Sequence, residues 1–458
     1  MSQALRRPGV AARWTLWAVL AAAVVLMLKL NLPGHLTVDS VLALHEGRFG
    51  VRTTWNPAFF GWLLGALDRI HTGTALAVGL VGVLLFGSWA LLAAARPRTS
   101  WLAPLVALAV ISLPQVLVYP GIVWKDVQFA VATLAGFSLL AFGVRERLGR
   151  TPWASFAAAA ILFAAAGLLR QNGLLLALPA ALAIAWARSG YRGWARSSAL
   201  AMGWLTAVAL LTFLLSAVAQ PQGAGRPDDA GGKGVRILQT YDLAAASALE
   251  PGRATPHIDR VSPAAGAHLR AHAAEFYSPE RVDTMSSDAR MGELWSTVPR
   301  KAIQDEWLAL IQDDPGLYLR ARWQAFAQVF GTPVIDRCLP VAIGADGPAE
   351  AMKALDMTPR HSYEDRRLYN YVTWFMDTPA LSHLAFAAVA VLVGVALLWR
   401  RDPADLVIAG LLAGALGFAA SFFVISIACD YRYLYVLDMA ALTGLVYLAL
   451  DPRLRRAG

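Results

Sequence analysis

Long apolar stretches alternate with short polar segments through most of this chain. A membrane-spanning helix needs about 20 mostly apolar residues. Stretches of that kind cover residues 14–32, 74–95, 101–119, 125–144, 153–169, 171–187, 197–219, 380–399, 404–427 and 432–450. The pattern predicts an all-α polytopic membrane protein with about ten transmembrane helices. Only Arg170, Gln171 and Asn172 separate the fifth stretch from the sixth. One helix of that combined length would be ~50 Å long and would overshoot the ~30 Å hydrocarbon core, so we predict a helical hairpin there.

One long segment, residues 220–378, departs from this pattern. It mixes acidic, basic and turn-forming residues and has no apolar run of membrane-spanning length. Its first residues, 220–232, are rich in Gly and Pro, which is typical of a flexible exit from the membrane. We predict a mainly helical extracytoplasmic domain at 220–378, since so long a segment is rarely a bare loop. It follows an N-terminal transmembrane module (1–219, with a first outer loop at 33–73) and precedes a C-terminal one (379–458). Within it, residues 315–331 are predicted to form an amphipathic helix that rests Leu317, Trp323, Phe326 and Phe330 on the membrane surface.

The distribution of charge predicts which side of the membrane each segment faces. Basic residues gather in alternate connections: Arg6, Arg7, Arg13, Arg96, Arg98, Arg145, Arg147, Arg150, Arg188, Arg192, Arg196, Arg400, Arg401, Arg453, Arg455 and Arg456. By the positive-inside rule these connections and both termini are cytoplasmic, and segments 33–73 and 220–378 lie outside. The formal net charge of +9 is therefore explained by topology, and nucleic-acid binding is not expected.

Composition agrees with a membrane protein and narrows the chemistry. The chain is 57% hydrophobic and 16% charged, unlike a soluble domain. Residues 14–32 are long for a signal peptide and lack a cleavage pattern, so we interpret them as an uncleaved first span. Because only two cysteines are present, Cys338 and Cys429, neither a disulfide framework nor a cysteine-rich metal site is expected.

Several polar residues at the predicted outer boundary do not fit a simple helix bundle. Asp39 follows the first span, where a solvated loop carboxylate or a helix cap is the plain alternative. Asn56 precedes an apolar segment, 57–70, that we predict to be an interfacial helix with Asn56 as its N-cap and Pro57 in its first turn. Lys125 and Asp126 open the fourth span, and an interfacial anchor is the alternative there. Three further groups reach this boundary: Arg170 with Asn172, Asp430 with Arg432, and Tyr433. For Arg432, a snorkelling side chain or an ion pair with Asp430 is the plain reading.

Together these residues suit one kind of chemistry. A carboxylate beside several fixed cations at headgroup depth fits a phosphate-bearing lipid substrate. The cations hold the phosphate, and the carboxylate accepts a proton from an attacking hydroxyl. Asp242, in the segment Gln239-Thr240-Tyr241-Asp242-Leu243, is a candidate acceptor-side residue, with a cap at a helix start as the alternative.

The sequence resembles the glycosyltransferase C superfamily, which includes protein O-mannosyltransferases and aminoarabinose transferases. The resemblance rests on Asp39 after the first span, on Trp55-Asn56-Pro57-Ala58-Phe59 where many members have His-Pro-Pro, and on the Lys125-Asp126 pair. It rests also on Arg170-Gln171-Asn172-Gly173, Asp314-Pro315-Gly316 and Asp430-Tyr431-Arg432-Tyr433. Asn56 replaces the His and Ala58 the second Pro, which leaves the substrate open.

The resemblance implies a reaction and a role for each residue. A polyprenyl-phosphate-linked sugar is the donor, and an envelope glycan, lipid or protein is the acceptor, at the outer face of a bacterial plasma membrane. Asp39 acts as the base of an inverting displacement, and Lys125, Arg170 and Arg432 bind the donor phosphate. Asp126 positions Lys125, assists the acceptor or binds a divalent cation, so metal dependence stays open. Asn56, Asn172, Asp430 and Tyr433 shape the site or contact the acceptor.

Two other classes of function stay open from the residues themselves. A flippase or transporter for lipid-linked glycans expects broken helices and polar residues at the bilayer midplane, whereas the polar residues here gather at one boundary. A non-catalytic envelope assembly factor would use the outer domain as a docking surface and would need neither Asp39 nor Lys125.

Overall fold

The fold is all-α over the part of the chain that the computed structural model describes, which is residues 9–54, 56–145, 151–220 and 230–454. Its α-helices, in chain order, are α1 Val10–Asn31, α2 Val38–Phe49, α3 Ala58–Ile70, α4 Ala75–Ala95, α5 Leu102–Ile111, α6 Pro114–Leu117, α7 Lys125–Arg145, α8 Thr151–Leu169, α9 Ala177–Arg192, α10 Trp194–Val218, α11 Ala230–Leu249, α12 Pro256–Asp259, α13 Pro263–Phe276, α14 Ala289–Ser296, α15 Arg300–Asp313, α16 Pro315–Gly331, α17 Ala349–Ala354, α18 Tyr363–Thr373, α19 His383–Arg400, α20 Pro403–Ile425 and α21 Tyr435–Leu450. Short 3₁₀ turns cover Tyr119–Gly121, Gly173–Leu176, Val282–Ser287, Ile335–Cys338, Pro379–Leu381 and Tyr431–Leu434. Trp55 and the basic residues Arg6, Arg7, Arg147, Arg150, Arg455 and Arg456 lie outside the described residues, as does most of segment 220–232.

The helices confirm the predicted polytopic membrane protein. Eight helices in the described ranges are long and apolar enough to cross a membrane: Val10–Asn31, Ala75–Ala95, Lys125–Arg145, Gly173–Gly190, Trp194–Val218, His383–Arg400, Pro403–Ile425 and Tyr431–Leu450. The stretch predicted at 153–169 is a shorter apolar helix. A break after Leu169 separates it from the next span, as the predicted hairpin requires.

The stretch predicted as a straight span at 101–119 is bent. Leu102–Ile111 and Pro114–Gly121 meet at 83°. Pro114 has no backbone N–H to continue the helix, and it disfavours helical dihedrals in the residue before it. Leu113 is accordingly extended, with φ −81° and ψ 145°. The bend brings Tyr119–Gly121 beside the residues that follow α1, where the candidate site begins.

The chain divides into two compact units. The first comprises Met1–Gly225, Val341–Phe418 and Leu434–Gly458, and the second comprises Arg226–Pro340 and Ala419–Tyr433. In the first unit α7 and α21 are the most buried spans, with 89% and 83% of their apolar windows inside the protein. A helix that is apolar on all sides is stable when other helices surround it. The centre of this unit therefore holds the helix that begins with Lys125 and Asp126.

The second unit packs helices around a small apolar core. Leu243, Ile258, Leu269, Trp295 and Ile303 are among its buried residues. A disulfide joins Cys338 to Cys429, 91 residues apart in the sequence. The sequence analysis expected no disulfide framework and did not predict this single bridge, because spacing along a chain does not reveal which loops approach each other in space.

Helix α16 begins and ends where the sequence predicted, with Asp314 as its N-cap accepting from Leu317 N at 2.9 Å. Its apolar residues face different surroundings. Leu317 is buried in the core of the second unit and cannot rest on a membrane surface, whereas Trp323 is largely exposed. Stacking joins Phe326 to Phe330 at 5.4 Å between ring centroids. The face of α16 that could contact a membrane surface therefore excludes Leu317, one of the four residues predicted for it.

Candidate active site

Short extended segments place the start of α2 beside the start of α7. His35 N donates to Gly121 O at 2.8 Å, and Val123 N donates to His35 O at 2.9 Å, which is a parallel bridge. On the other side Leu36 N donates to Gly344 O at 2.9 Å, and Asp346 N donates to Leu36 O at 3.1 Å. These backbone bonds fix the relative register of segments distant in sequence. Asp39 lies three residues after Leu36 in one of these segments, and Lys125 lies two residues after Val123 in the other.

Side chains at the two helix starts tighten this arrangement. Thr37 caps α2, and its N–H donates to Ser40 Oγ at 3.3 Å as part of a capping box. Ser40 Oγ in turn donates to Val123 O at 2.6 Å. Trp124 Nε1 donates to Thr37 Oγ1 at 3.2 Å. The first turns of α2 and α7 are therefore held side by side.

Asp39 lies in the first turn of α2 and is half-buried. The structure thus places it inside a helix instead of in a loop, and Thr37 takes the cap position. A helix N-terminus favours a negative charge because its N–H dipoles point toward that end. This local setting therefore favours the negative charge of a carboxylate.

Asn56 connects the first outer segment to Lys125. Lys125 Nζ donates to Asn56 Oδ1 at 2.8 Å, and Asn56 Nδ2 lies 3.5 Å from the backbone oxygen of Asp39. Asn56 is 1% exposed. The prediction that Asn56 caps the following helix was wrong, since α3 begins at Ala58 with Pro57 in the cap position. The amide instead bridges the segments that carry Lys125 and Asp39.

Asp126 and Arg170 form an ion pair in the same unit. The Arg170 guanidinium contacts the Asp126 carboxylate, which is 1% exposed, and also lies over the Phe418 ring at 5.5 Å. Asn172 precedes the 3₁₀ turn Gly173–Leu176, and its backbone oxygen accepts from Leu175 N at 3.2 Å. Arg170 is therefore oriented by a buried carboxylate and an aromatic face.

The remaining candidates belong to the second unit. Arg432 Nη2 lies 3.0 Å from Asp430 Oδ2, so these two residues form the ion pair that the sequence left as an alternative. Tyr433 stacks on Phe422 at 5.8 Å. The loop that carries them is fixed by the disulfide at Cys429 and by Cys429 N, which donates to Glu280 O at 3.0 Å.

Arg322 also orders this part of the second unit, although no local pattern in the sequence singles it out. It is fully buried and donates to Asp242 Oδ1 at 2.5 Å, to Phe423 O at 2.9 Å and to Ser426 O at 2.6 Å. Asp242 accepts a further bond from Trp307 Nε1 at 2.9 Å. Because Asp242 lies in the interior of α11, the alternative that it caps a helix start was wrong.

His35 is a second residue that sequence reasoning missed. Its Nδ1 accepts from Gly344 N at 3.1 Å and lies 3.2 Å from Arg360, while Nε2 lies 3.2 Å from Asn31 Oδ1. Burial and the Arg360 charge lower the pKa of His35 to about 4. A neutral ring with Nε2 protonated satisfies these contacts. No local pattern marks this histidine, because two of its partners come from more than 300 residues away in the sequence.

No group of three His, Cys, Asp or Glu side chains within the described ranges is arranged to hold a metal ion. The polar groups near Asp39 are instead an ammonium, an amide and the N-termini of two helices. Such groups stabilise negative charge and orient a hydroxyl or a phosphate.

The sequence matches no family model and no curated protein. Among solved structures it is similar to the oligosaccharyltransferase of Archaeoglobus fulgidus in complex with Zn and sulfate, with 14% identity, a TM-score of 0.41 and coverage of 94% of this chain and 48% of that chain. It is also similar to the oligosaccharyltransferase AglB from Archaeoglobus fulgidus in complex with an inhibitory peptide and a dolichol-phosphate, with 14% identity, a TM-score of 0.39 and coverage of 94% of this chain and 50% of that chain. For ArnT from Cupriavidus metallidurans bound to undecaprenyl phosphate, the identity is 14%, the TM-score is 0.36, and the coverage is 94% of this chain and 77% of that chain. The chain spans about half the length of the archaeal enzyme.

Proposed function

We propose that this chain is a membrane glycosyltransferase that moves a sugar from a polyprenyl-phosphate donor to a cell-envelope acceptor. The observation that carries the proposal is the bridge of Lys125 and Asn56 beside the first turn of α2, which bears Asp39. It joins the Lys125 ammonium, through Asn56, to the backbone oxygen of Asp39, so that the starts of two helices lie side by side. The sequence resemblance supplies the reaction class, and the contacts supply a physical reason for these residues.

The proposed reaction is a displacement at the anomeric carbon of the donor sugar. The acceptor hydroxyl gives its proton to Asp39 as its oxygen forms the new glycosidic bond. The bond between the anomeric carbon and the phosphate oxygen breaks, and the negative charge passes to the departing polyprenyl phosphate. Lys125 stabilises that charge, and Arg170 assists from its position against Asp126. Attack opposite the leaving group inverts the anomeric centre.

The other predicted residues keep narrower proposed roles. Asn56 orients Lys125, and Asp126 orients Arg170. Asn172 shapes the turn after Arg170. Arg432 stays a candidate ligand for the donor phosphate, with Asp430 orienting it and Tyr433 beside it.

We place the reaction on the outer face of a bacterial plasma membrane, with both termini in the cytoplasm. The arginine-rich connections support this orientation. The extracytoplasmic domain at 220–378 is proposed to bind the acceptor, which is a glycan, a lipid or a protein.

The experiment that tests this function replaces Asp39 with Asn. The purified protein in a bilayer mimetic receives undecaprenyl-phosphate-linked sugars, and transfer is followed by mass spectrometry of the lipid products. Asp39→Asn should lower the transfer rate by at least about a hundredfold, because a general base contributes 10²–10⁴-fold. Donor binding should persist in this variant.

The matched control is Asp377→Asn. Asp377 is exposed, and its backbone has φ 59°, a conformation that Asn adopts readily. It should transfer sugar at the rate of the unchanged protein. Full transfer activity in Asp39→Asn would remove Asp39 from the mechanism. Absence of transfer with every donor, together with ATP-dependent or gradient-dependent movement of lipid-linked glycans, would favour the transporter class.

A further inference from the structure

A cavity of about 410 Å³ opens in the first unit, away from Asp39. Its walls are the end of α2 with the following residues, the start of α3, Arg69 near the end of α3, and the end of α10. Asp39 lies at the opposite end of the twelve-residue helix α2, which is ~18 Å long. The cavity is therefore distinct from the proposed catalytic site.

Three guanidinium groups and one carboxylate line this cavity. Arg48 is fixed by Asp68, with Nη2 2.6 Å from Oδ1 and Nε 2.8 Å from Oδ2. Arg52 Nη1 lies 3.2 Å from Glu46 Oε2. Arg69 is exposed and forms no ion pair with the described residues. Asp68 balances the charge of Arg48 and Glu46 balances that of Arg52, so the unbalanced positive charge at the cavity is that of Arg69.

The single carboxylate, that of Glu46, already accepts hydrogen bonds from groups of the protein itself. Its side chain is 4% exposed, and Oε1 accepts from Thr53 N at 2.7 Å and Thr54 N at 2.5 Å. Two backbone donors and Arg52 therefore compensate its charge. Glu46 holds the segment that presents Arg52 and leaves the cavity attractive to an anion.

The cavity also has an apolar side at the level of the lipid headgroups. Helix α10 has 25 residues and is ~37 Å long, so it exceeds a hydrocarbon core of ~30 Å and its last residues reach the membrane boundary. Phe49 and Val218 line the cavity and are 48% and 60% exposed. A cationic wall beside exposed apolar groups matches a lipid that carries a phosphate next to its acyl chains.

We propose that this cavity binds the phosphate of an anionic membrane phospholipid, with Arg52 and Arg69 as ligands and Phe49 and Val218 against the acyl chains. A guanidinium group can donate two parallel hydrogen bonds to the oxygens of one phosphate, and such charge-assisted bonds are stronger away from bulk water. Basic pockets between membrane helices bind anionic lipid headgroups on the cytoplasmic side, and the same charge pairing applies at the opposite boundary. The site is independent of the transfer reaction.

The test measures lipid retention by native mass spectrometry. The protein in neutral detergent is titrated with phosphatidylglycerol, with phosphatidylcholine and, separately, with inorganic phosphate. Phosphatidylglycerol should bind most tightly. Arg69→Gln, at an exposed position where folding is not at risk, should weaken it about tenfold. Arg52→Gln together with Arg69→Gln should weaken it further, whereas Arg69→Lys should lose less.

The matched control is Arg290→Gln, which removes an exposed arginine of the second unit. This control and Asp39→Asn should retain phosphatidylglycerol as the unchanged protein does. Equal retention in the double arginine variant would overturn the site. Saturable binding of inorganic phosphate without any preference for phosphatidylglycerol would overturn the lipid as its ligand.

Discussion

At the scale of single residues, the candidate site depends on how its cations are held. Asn56 Oδ1 accepts from Lys125 Nζ, and a neutral amide orients an ammonium without neutralising it. Arg170 is oriented by the Asp126 carboxylate, an arrangement that fixes the fork of the guanidinium more firmly. Two different partners therefore prepare two cations for the same type of ligand. Lys125 is the more direct test, since it lies beside the segment that carries Asp39.

Replacement of Lys125 should weaken donor binding more than it affects folding. Lys125→Gln removes the charge and should raise the donor Kd or KM by about ten- to a hundredfold, because a charge-assisted bond to phosphate contributes ~1.5–3 kcal/mol. Lys125→Arg should recover part of the loss, and Asn56→Ala should cause a smaller one. Lys353→Gln, an exposed lysine in α17, serves as control and should change nothing. An unaltered donor affinity in Lys125→Gln would contradict the assigned role.

His35 should make the stability of the first unit depend on pH. Its pKa is about 4 in the folded protein, against ~6.5 in an unfolded chain. Below pH ~6.5 the unfolded chain takes up a proton that the folded protein refuses, so stability is complete above pH 6.5 and falls as the pH drops toward 4. The groups facing this ring are Arg360 and Asp365, and the pKa of Asp365 is lowered, so it titrates below this window.

The measurement is thermal unfolding in detergent between pH 7.5 and 4. The unchanged protein should lose up to ~3 kcal/mol across this window. His35→Gln keeps an amide able to form hydrogen bonds and should flatten the pH dependence, even if the variant is less stable at neutral pH. A slope in His35→Gln equal to that of the unchanged protein would show that another group is responsible.

At the scale of elements, a close helix crossing sets the geometry of the first outer segment. A Cβ added to Gly47 would lie 1.9 Å from Gly61 O, and one added to Gly65 would lie 2.2 Å from Gly47 O. Gly61 and Gly65 form a small-xxx-small pattern along α3, which lets two helix backbones approach. The crossing of α2 and α3 therefore orients the helix whose first turn carries Asp39.

Gly65→Ala should disrupt this crossing. A methyl group there meets backbone atoms that cannot rotate away, so the variant should lose at least ~1–3 kcal/mol of stability and part of its transfer activity. Gly79→Ala is the matched control. Gly79 lies in α4, and a Cβ added to it would have no neighbouring atom within 4 Å. It should be neutral or slightly stabilising because Ala favours a helix more than Gly does. Thermal unfolding of both variants in the same detergent compares them directly, and equal melting temperatures would refute the close crossing.

At the scale of the whole molecule, the disulfide offers a test of sidedness. Cys338 and Cys429 are the only cysteines of the chain, and disulfides persist mainly in oxidising compartments outside the cytoplasm. The pair therefore fits the predicted outer location of the segment that contains Cys338. It also joins two residues that are 91 apart in the sequence, which restricts the unfolded chain.

Thiol labelling in intact cells measures this property. A membrane-impermeant maleimide should label the protein after mild reduction from outside, and hardly at all before reduction. Cys338→Ser leaves Cys429 unpaired and should lower the melting temperature of the protein. Labelling without reduction, or protection that persists after reduction and unfolding, would contradict the outer disulfide.

The sequence predicted the elements well because their signals are local. Apolar runs of span length do not depend on distant partners, and the amphipathic pattern over 315–331 predicted both ends of α16 correctly. Asn56 shows where local signals fail. Its position before Pro57 suggested a cap, yet a lysine 69 residues further along the chain captured its side chain. Pro114 was present in the sequence, but only the structure showed that the helix there bends instead of crossing straight.

The sequence by itself determined the fold class, the spans and the polar residues worth testing, because water and lipid sort residues by their own chemistry. The tertiary structure decided which of those residues meet. Asp39 and Lys125 are brought near each other by backbone bonds between residues 35 and 121–123, and His35 gains its buried setting from residues 344 and 360. Contacts of this kind form between segments that are far apart in the sequence. No local pattern in a single sequence shows which distant segments come together.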